Sequence, residues 1–438
     1  MTIDRRLLAT IVGISLPAVV ANITTPLLAL TDVAVAGHLG APVYIAAIAV
    51  GGTMFNMLFW LCGFLRMGSS GLTAQAFGAG DREAGQAIFN RAMLLALIIG
   101  LLMIVCRHPL CSGLLALLDA EEETRLVASR YFMICVWGAP AVLGMFSLTG
   151  WCVGMQNSRL PMSVSLFIVV FNVAVSLTLV YVFRMKIEGI ALGTLTAQWA
   201  GFLLALGLCV RRYGWHATPP GILLSGLRRF FSINADIFLR TVCLVAVTMW
   251  FTRVGAEQGT LMLAVNALLM QLFTLFSYIM DGLAFAAEAL SGRYLGAGDR
   301  RMLSRAVKAS LTLGGITALL FTVAYVLFGQ SILSVLSSDE PVREMASEYS
   351  VWAVCVPMAG FSAFIWDGIC IGLTRTRMML LSMATATAVY FAVYFLLFPS
   401  LGNHGLWIAF LSYLLTRGIV LAVCPGRETL RQEPYSLR

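Results

Sequence analysis

Apolar blocks of one recurring length constrain this chain more than any motif does. A dozen of them, each roughly 20 to 28 residues, fall near 7–36, 43–66, 85–106, 127–151, 160–183, 188–211, 232–254, 260–287, 304–328, 346–372, 377–398 and 404–423. Each can cross a hydrocarbon layer about 30 Å thick as a helix, whereas a barrel strand needs only about 10 residues. Length therefore separates helix from strand where an all-apolar run shows no period. Only 11% of the 438 residues are charged, against roughly a quarter in a soluble domain. The expected fold is an all-α polytopic membrane protein with twelve transmembrane helices.

The formal net charge of +8 is distributed rather than patched, which argues against a nucleic-acid surface. Basic residues cluster in alternate connections, among them Arg5–Arg6, Arg82, Arg159, Arg211–Arg212, Arg228–Arg229, Arg300–Arg301, Arg375–Arg377 and Arg427–Arg438. The intervening connections hold the acidic run Asp119 to Glu123 and the pair Asp339–Glu340. This alternation is the positive-inside pattern and expects both termini in the cytoplasm. Arg5–Arg6, an apolar run and Ala34-Val35-Ala36 imitate a signal peptide. The run is too long for the apolar part of one, however, so a retained first helix is expected. The ten cysteines have no metal-like spacing and read as free apolar side chains, with Cys106 and Cys111 near an outer loop as the alternative pair.

The chain repeats itself. GAGDR occurs at Gly78–Arg82 and again at Gly296–Arg300, about 218 residues later. Nearly the same offset aligns Pro140 with Pro357, Gly154 with Gly372, Arg159 with Arg377, and GIAL at Gly189 with GLWI at Gly405. A tandem duplication of six helices follows. An even number gives both halves the same orientation, related by an axis along the membrane normal. The expected division is a first lobe at 1–212, a cytoplasmic link at 213–227 punctuated by Pro219, Pro220 and Gly221, and a second lobe at 228–438. GAGDR is too short and glycine-poor for a phosphate loop; it reads as a tight turn after the second and eighth spans.

Charges inside apolar spans are costly and mark function by default. In the first half Asp32 stands nearly alone, in a span interrupted by Pro17 and Pro26, and Thr25 shares its helical face. Pro26 is the expected hinge. Polar companions come from Asn172 and Ser176 on the fifth span and from Thr194, Thr196 and Gln198 on the sixth. A buried carboxylate without a counter-charge can exchange protons near neutral pH, which an ion pair does with difficulty. The second half holds Asp236 and Arg240 one turn apart, Asp281 and Glu288 on one face, and Asp367. There Arg240, the one clearly deep cation, is expected to neutralise one or two carboxylates while the others hydrate. No Ser/His/Asp set, HExxH or Walker-type loop occurs. An enzyme is disfavoured, and active transport would draw on an ion gradient.

Several stretches taken together resemble the multidrug and toxic compound extrusion family, in the branch of the DNA-damage-inducible protein F. They are ALTDVAVAGHLG in the first span, Phe64–Asp81, Gly150–Pro161, Met280–Asp299, Trp366–Arg377 and Leu401–Phe410. The resemblance implies two pseudo-twofold-related six-helix bundles forming a V. It also implies a bacterial inner-membrane carrier that acts as a monomer, takes no cofactor and exchanges protons or sodium for amphipathic, often cationic small molecules. The family's proposed proton-binding carboxylate matches Asp32, and Thr194 matches a further polar member of its cluster. The branch's Asn-x-x-x-Asp on the fifth helix is here Asn172 and Ser176, which leaves one titratable group fewer for a relay or a sodium site. The alternative is a flippase for a lipid-linked precursor, which should carry Arg or Lys from several helices in its central cavity.

Overall fold

The computed structural model describes residues 5–423 except 38, 40, 119, 120, 217, 220 and 222–225, together with the side chain of Thr25. Parts of the outer acidic run and of the expected link, His38 and the C-terminal arginines thus lie outside the described residues. Among the described residues every regular element is a helix. Twelve helical stretches among them are long and apolar enough to span a membrane.

The first six spans begin with α1, Arg5–Gly37, which runs unbroken through Pro17 and Pro26. The second span has two parts, α2 (Pro42–Leu61) and α3 (Phe64–Ala79), separated at Cys62–Gly63. Next come α4 (Arg82–Val105) and a short connecting helix, α5 (Arg107–Leu118), which no apolar block announces. The fourth span joins α6 (Glu122–Cys135) to α7 (Ala139–Gly154) through a 3-10 turn at Val136–Gly138. The lobe closes with α8 (Arg159–Leu177), which ends in a π turn, and α9 (Ile187–Tyr213). The second six are α10 (Leu227–Glu257), α11 (Thr260–Gly296), α12 (Arg300–Leu336), α13 (Glu340–Gly372), α14 (Thr376–Leu401) and α15 (Asn403–Val423). The apolar block at 260–287 underestimates α11, because small residues continue its helix to Gly296. No disulfide joins the cysteines among the described residues, Cys106 and Cys111 included.

GAGDR forms a turn in both halves. Gly80 and Gly298 take left-handed φ angles of 72° and 70°, a region that favours glycine. Asp81 then accepts the Ala84 amide at 2.9 Å and Asp299 the Met302 amide at 2.9 Å, capping α4 and α12.

The first glycine of each motif has another task. A Cβ built on Gly78 would lie 1.9 Å from the Arg293 carbonyl oxygen, and one on Gly296 would lie 2.0 Å from the Gln75 carbonyl oxygen. The two contacts exchange under the pseudo-twofold, so α3 and α11 touch backbone to backbone on the axis. Within each lobe the pattern recurs: Gly150 and Gly154 meet the Arg66 and Ser70 carbonyls, as Gly368 and Gly372 meet those of Ala284 and Glu288.

The lobes meet at this end of the molecule. Leu7, Ile11, Ile14 and Val153 pack against Ala286, Ala289, Leu290, Ala306 and Ala309. On the other flank Leu72, Ala76 and Ile88 pack against Phe230, Ile233 and Ile237. The large cores toward the opposite end each stay within one lobe, one built on Phe55, Phe132 and Ile190, the other on Phe251, Phe276 and Trp407. The result is a V closed at the GAGDR end and open at the other.

Candidate functional site

In the first lobe α1, α8 and α9 bring three sequence candidates into one chain of hydrogen bonds. The Thr194 hydroxyl donates to Asp32 Oδ2 at 2.9 Å and accepts from Asn172 Nδ2 at 3.0 Å. Asp32 is 4% exposed, and among the described residues no cation pairs with it. Its Oδ1, Asn172 Oδ1 and Ser176 Oγ have no hydrogen-bond partner. Ser176 lies beside the cluster, pressed against Gly193, whose missing side chain makes room for it. Of the other expected companions, the Thr196 hydroxyl bonds back to Leu192 O in its own helix, and Gln198 packs against Gly138. The Thr25 side chain is outside the described residues.

Sequence reasoning missed Tyr131 on α6. Its hydroxyl lies within reach of Asp32, Thr194 and Cys135. Its ring fits where a Cβ on Gly51 would come within 2.6 Å. A tyrosine in an aromatic-rich span resembles core filling, and only its fold neighbours set it apart.

In the second lobe Arg240 neutralises one carboxylate, and that carboxylate is not its near neighbour in sequence. Arg240 does not pair with Asp236, one turn before it; it donates to Asp367 Oδ2, and Arg417 on α15 donates to the same oxygen at 2.5 Å. Asp236 instead accepts the Thr376 hydroxyl at 2.7 Å. Glu288, 1% exposed, faces Arg66 of the first lobe at 3.6 Å. Asp281 is half-buried and has no ion pair among the described residues, although Arg66, Arg240 and Arg417 are near enough to feel its charge. Arg240 is therefore not the lone deep cation, since Arg417 is 4% exposed and Arg66 joins the same region. Arg417 carried the signal that marks Asp32, a charge within an apolar span. Arg66 sits at the edge of an apolar block and reads as a loop residue.

The family model MatE matches this chain twice, over residues 17–178 and 235–396, which places the two matches at the same offset as the GAGDR repeat. This chain belongs to the MatE family. It is 39% identical over 414 residues to DNA damage-inducible protein F of Escherichia coli (strain K12), covering 93% of this chain and 90% of that protein. A probable multidrug resistance protein NorM of Idiomarina loihiensis is 21% identical over 445 residues, 96% of this chain and 94% of that one. Among solved structures, the bent form of the Vibrio cholerae MATE transporter VcmN superposes with a TM-score of 0.86 at 19% identity, over 97% of each chain. An outward-facing MATE family transporter gives 0.82 at 19% identity, over 98% of this chain and 99% of that one. The chain is thus a multi-pass membrane transporter of the MatE family with that family's fold.

Proposed function

We propose that this MatE protein is an antiporter that exports amphipathic, cationic small molecules across the bacterial inner membrane in exchange for protons, both termini being cytoplasmic. The observation that carries the proposal is Asp32: a buried carboxylate held by neutral partners, with one oxygen unpartnered. Burial without a counter-charge makes a carboxylate responsive to protons. In the outward-open state Asp32 takes up a proton, and the neutral acid loses its hold on Thr194. The helix then bends near Pro26, where one backbone hydrogen bond is already missing. Return to the inward-open state releases the proton. Coupling follows if proton and substrate prefer opposite states.

Sodium is the competing coupling ion. Asp32 Oδ1, Asn172 Oδ1 and Ser176 Oγ offer three unpartnered oxygens, but with one carboxylate among them they compensate a bare cation poorly. The flippase reading gains from Arg66, Arg240 and Arg417 converging. Asp281, Glu288 and Asp367 accompany them one for one, however, so no excess positive charge is left for a pyrophosphate.

The test is efflux of a fluorescent cation from proteoliposomes under a pH gradient or a sodium gradient, with Asp32→Asn alongside. Proton-driven efflux that the variant loses, while it still folds and inserts, is the expected result. Undiminished proton-driven efflux by Asp32→Asn would refute the assignment.

A further inference from the structure

Just above the glycine contacts lies a buried ion pair contributed by both lobes. Glu288 lies on α11, eight residues before Gly296, so about 12 Å above the axial contact at a rise of 1.5 Å per residue. It is 1% exposed, and neither carboxylate oxygen has a hydrogen-bond donor. Its counter-charge is Arg66 of α3, whose Nη1 stops 3.6 Å away and makes no hydrogen bond. The Arg66 guanidinium also sits over the ring of Phe285, 4.1 Å from its centroid. Phe285 and Glu288 are three residues apart and share a face of α11.

A carboxylate beside an aromatic face is a recognition unit for an organic cation, which the ring's negative face and the carboxylate attract together. Here the unit belongs wholly to the second lobe, and the cation filling it belongs to the first. We propose that Glu288 and Phe285 form a binding site for the cationic group of the exported molecule, and that Arg66 is its tethered competitor.

The competition follows from the fold. Arg66 can reach Glu288 only while α3 and α11 are pressed together along Gly78 and Gly296. Opening at the GAGDR end separates these helices, withdraws Arg66, and exposes an unpaired carboxylate and a bare ring to a cation arriving from that side. Closure brings Arg66 back and displaces the passenger toward the open end. The contact is suited to exchange: it lacks a direct hydrogen bond, and Arg66 lies in the first turn of α3, where the helix dipole disfavours a cation. The pseudo-twofold supplies no second copy, because Ser70 and Ala284 stand at the repeat positions of Glu288 and Arg66.

This inference rests on export of a cation but not on Asp32 or on the coupling ion. The measurement is twofold: ethidium binding to purified protein in detergent, and ethidium efflux from proteoliposomes. Glu288→Gln should weaken binding and raise KM by at least about tenfold, with Glu288→Asp recovering part of the loss. Phe285→Leu should raise KM by about twofold to thirtyfold. Arg66→Gln should shift the other way, binding ethidium more tightly and lowering kcat, because nothing then displaces it. A merely structural ion pair predicts the same direction for Glu288→Gln and Arg66→Gln; equal effects, or none, would overturn the proposal. If wild-type protein binds ethidium but moves it under no gradient, the antiport reading fails while the opposed binding shifts still decide this one. Wild-type protein that does not bind ethidium, and gains no binding in Arg66→Gln, overturns it outright.

Discussion

Replacing Gly78 by alanine adds one methyl group at the point where the lobes touch on their symmetry axis. The methyl carbon would lie 1.9 Å from the Arg293 carbonyl oxygen, a backbone atom that cannot rotate aside. Ordinary contact begins near 3.4 Å, so α3 and α11 must part by about 1.5 Å at this level or tilt by an equivalent amount. Overpacking of this kind costs about 1–3 kcal/mol. Because the contact exists only when the GAGDR end is shut, that cost falls on one conformation. It should shift the equilibrium toward opening at that end by about 5- to 150-fold. Spin labels at Arg82 and Arg300, which follow the two capping aspartates, report the separation. Gly78→Ala should broaden and lengthen their distance distribution, and Gly296→Ala should do the same, since its Cβ would meet Gln75 O at 2.0 Å. Gly85→Ala is the control: nothing lies within 4 Å of its added methyl, and the better helix former should be neutral or stabilising by about 0.5–1 kcal/mol. Unchanged distances in both seam variants would refute the claim that these glycines set the closed state.

Two further outcomes follow from the polar contacts. Asp367→Asn removes the charge that two buried guanidiniums share, so it should destabilise the second lobe by about 3–5 kcal/mol. Thermal unfolding in detergent would show this as a clear drop in midpoint, and an unchanged midpoint would mean Arg240 and Arg417 have other compensation. Asp81→Ala and Asp299→Ala should each cost about 0.5–2 kcal/mol through the lost cap, and by similar amounts because the two caps have matching geometry. Clearly unequal costs, measured by the same unfolding, would show that the turns are not equivalent in energy.

The site was legible in part, and the division has a physical pattern. Asp32 declared itself because a charge in hydrocarbon is expensive wherever the helix packs. Thr194 and Asn172 were legible as polar residues in neighbouring spans; Thr194 bonds to Asp32, and Asn172 bonds to Thr194. Thr196 and Gln198 carried the same signal but turn elsewhere, because face and rotation depend on the neighbouring helix. Arg240 shows the limit most clearly. Its sequence neighbour Asp236 offered the local pairing, yet Arg240 bonds to Asp367, 127 positions away, together with Arg417.

By itself the sequence determined the number of spans, the duplication, the tight turns after the second and eighth spans and the presence of one unpaired carboxylate in the first half. These depend on chain length against membrane thickness, on repetition, and on interactions spanning a few residues. Tertiary structure alone decided which charges cancel, that Tyr131 lies near Asp32, and that Arg66 of one lobe faces Glu288 and Phe285 of the other. Those outcomes depend on which helix faces come within a few ångströms of each other. In this chain, backbone contacts at Gly78 and Gly296 on the pseudo-twofold axis fix that approach for the two lobes.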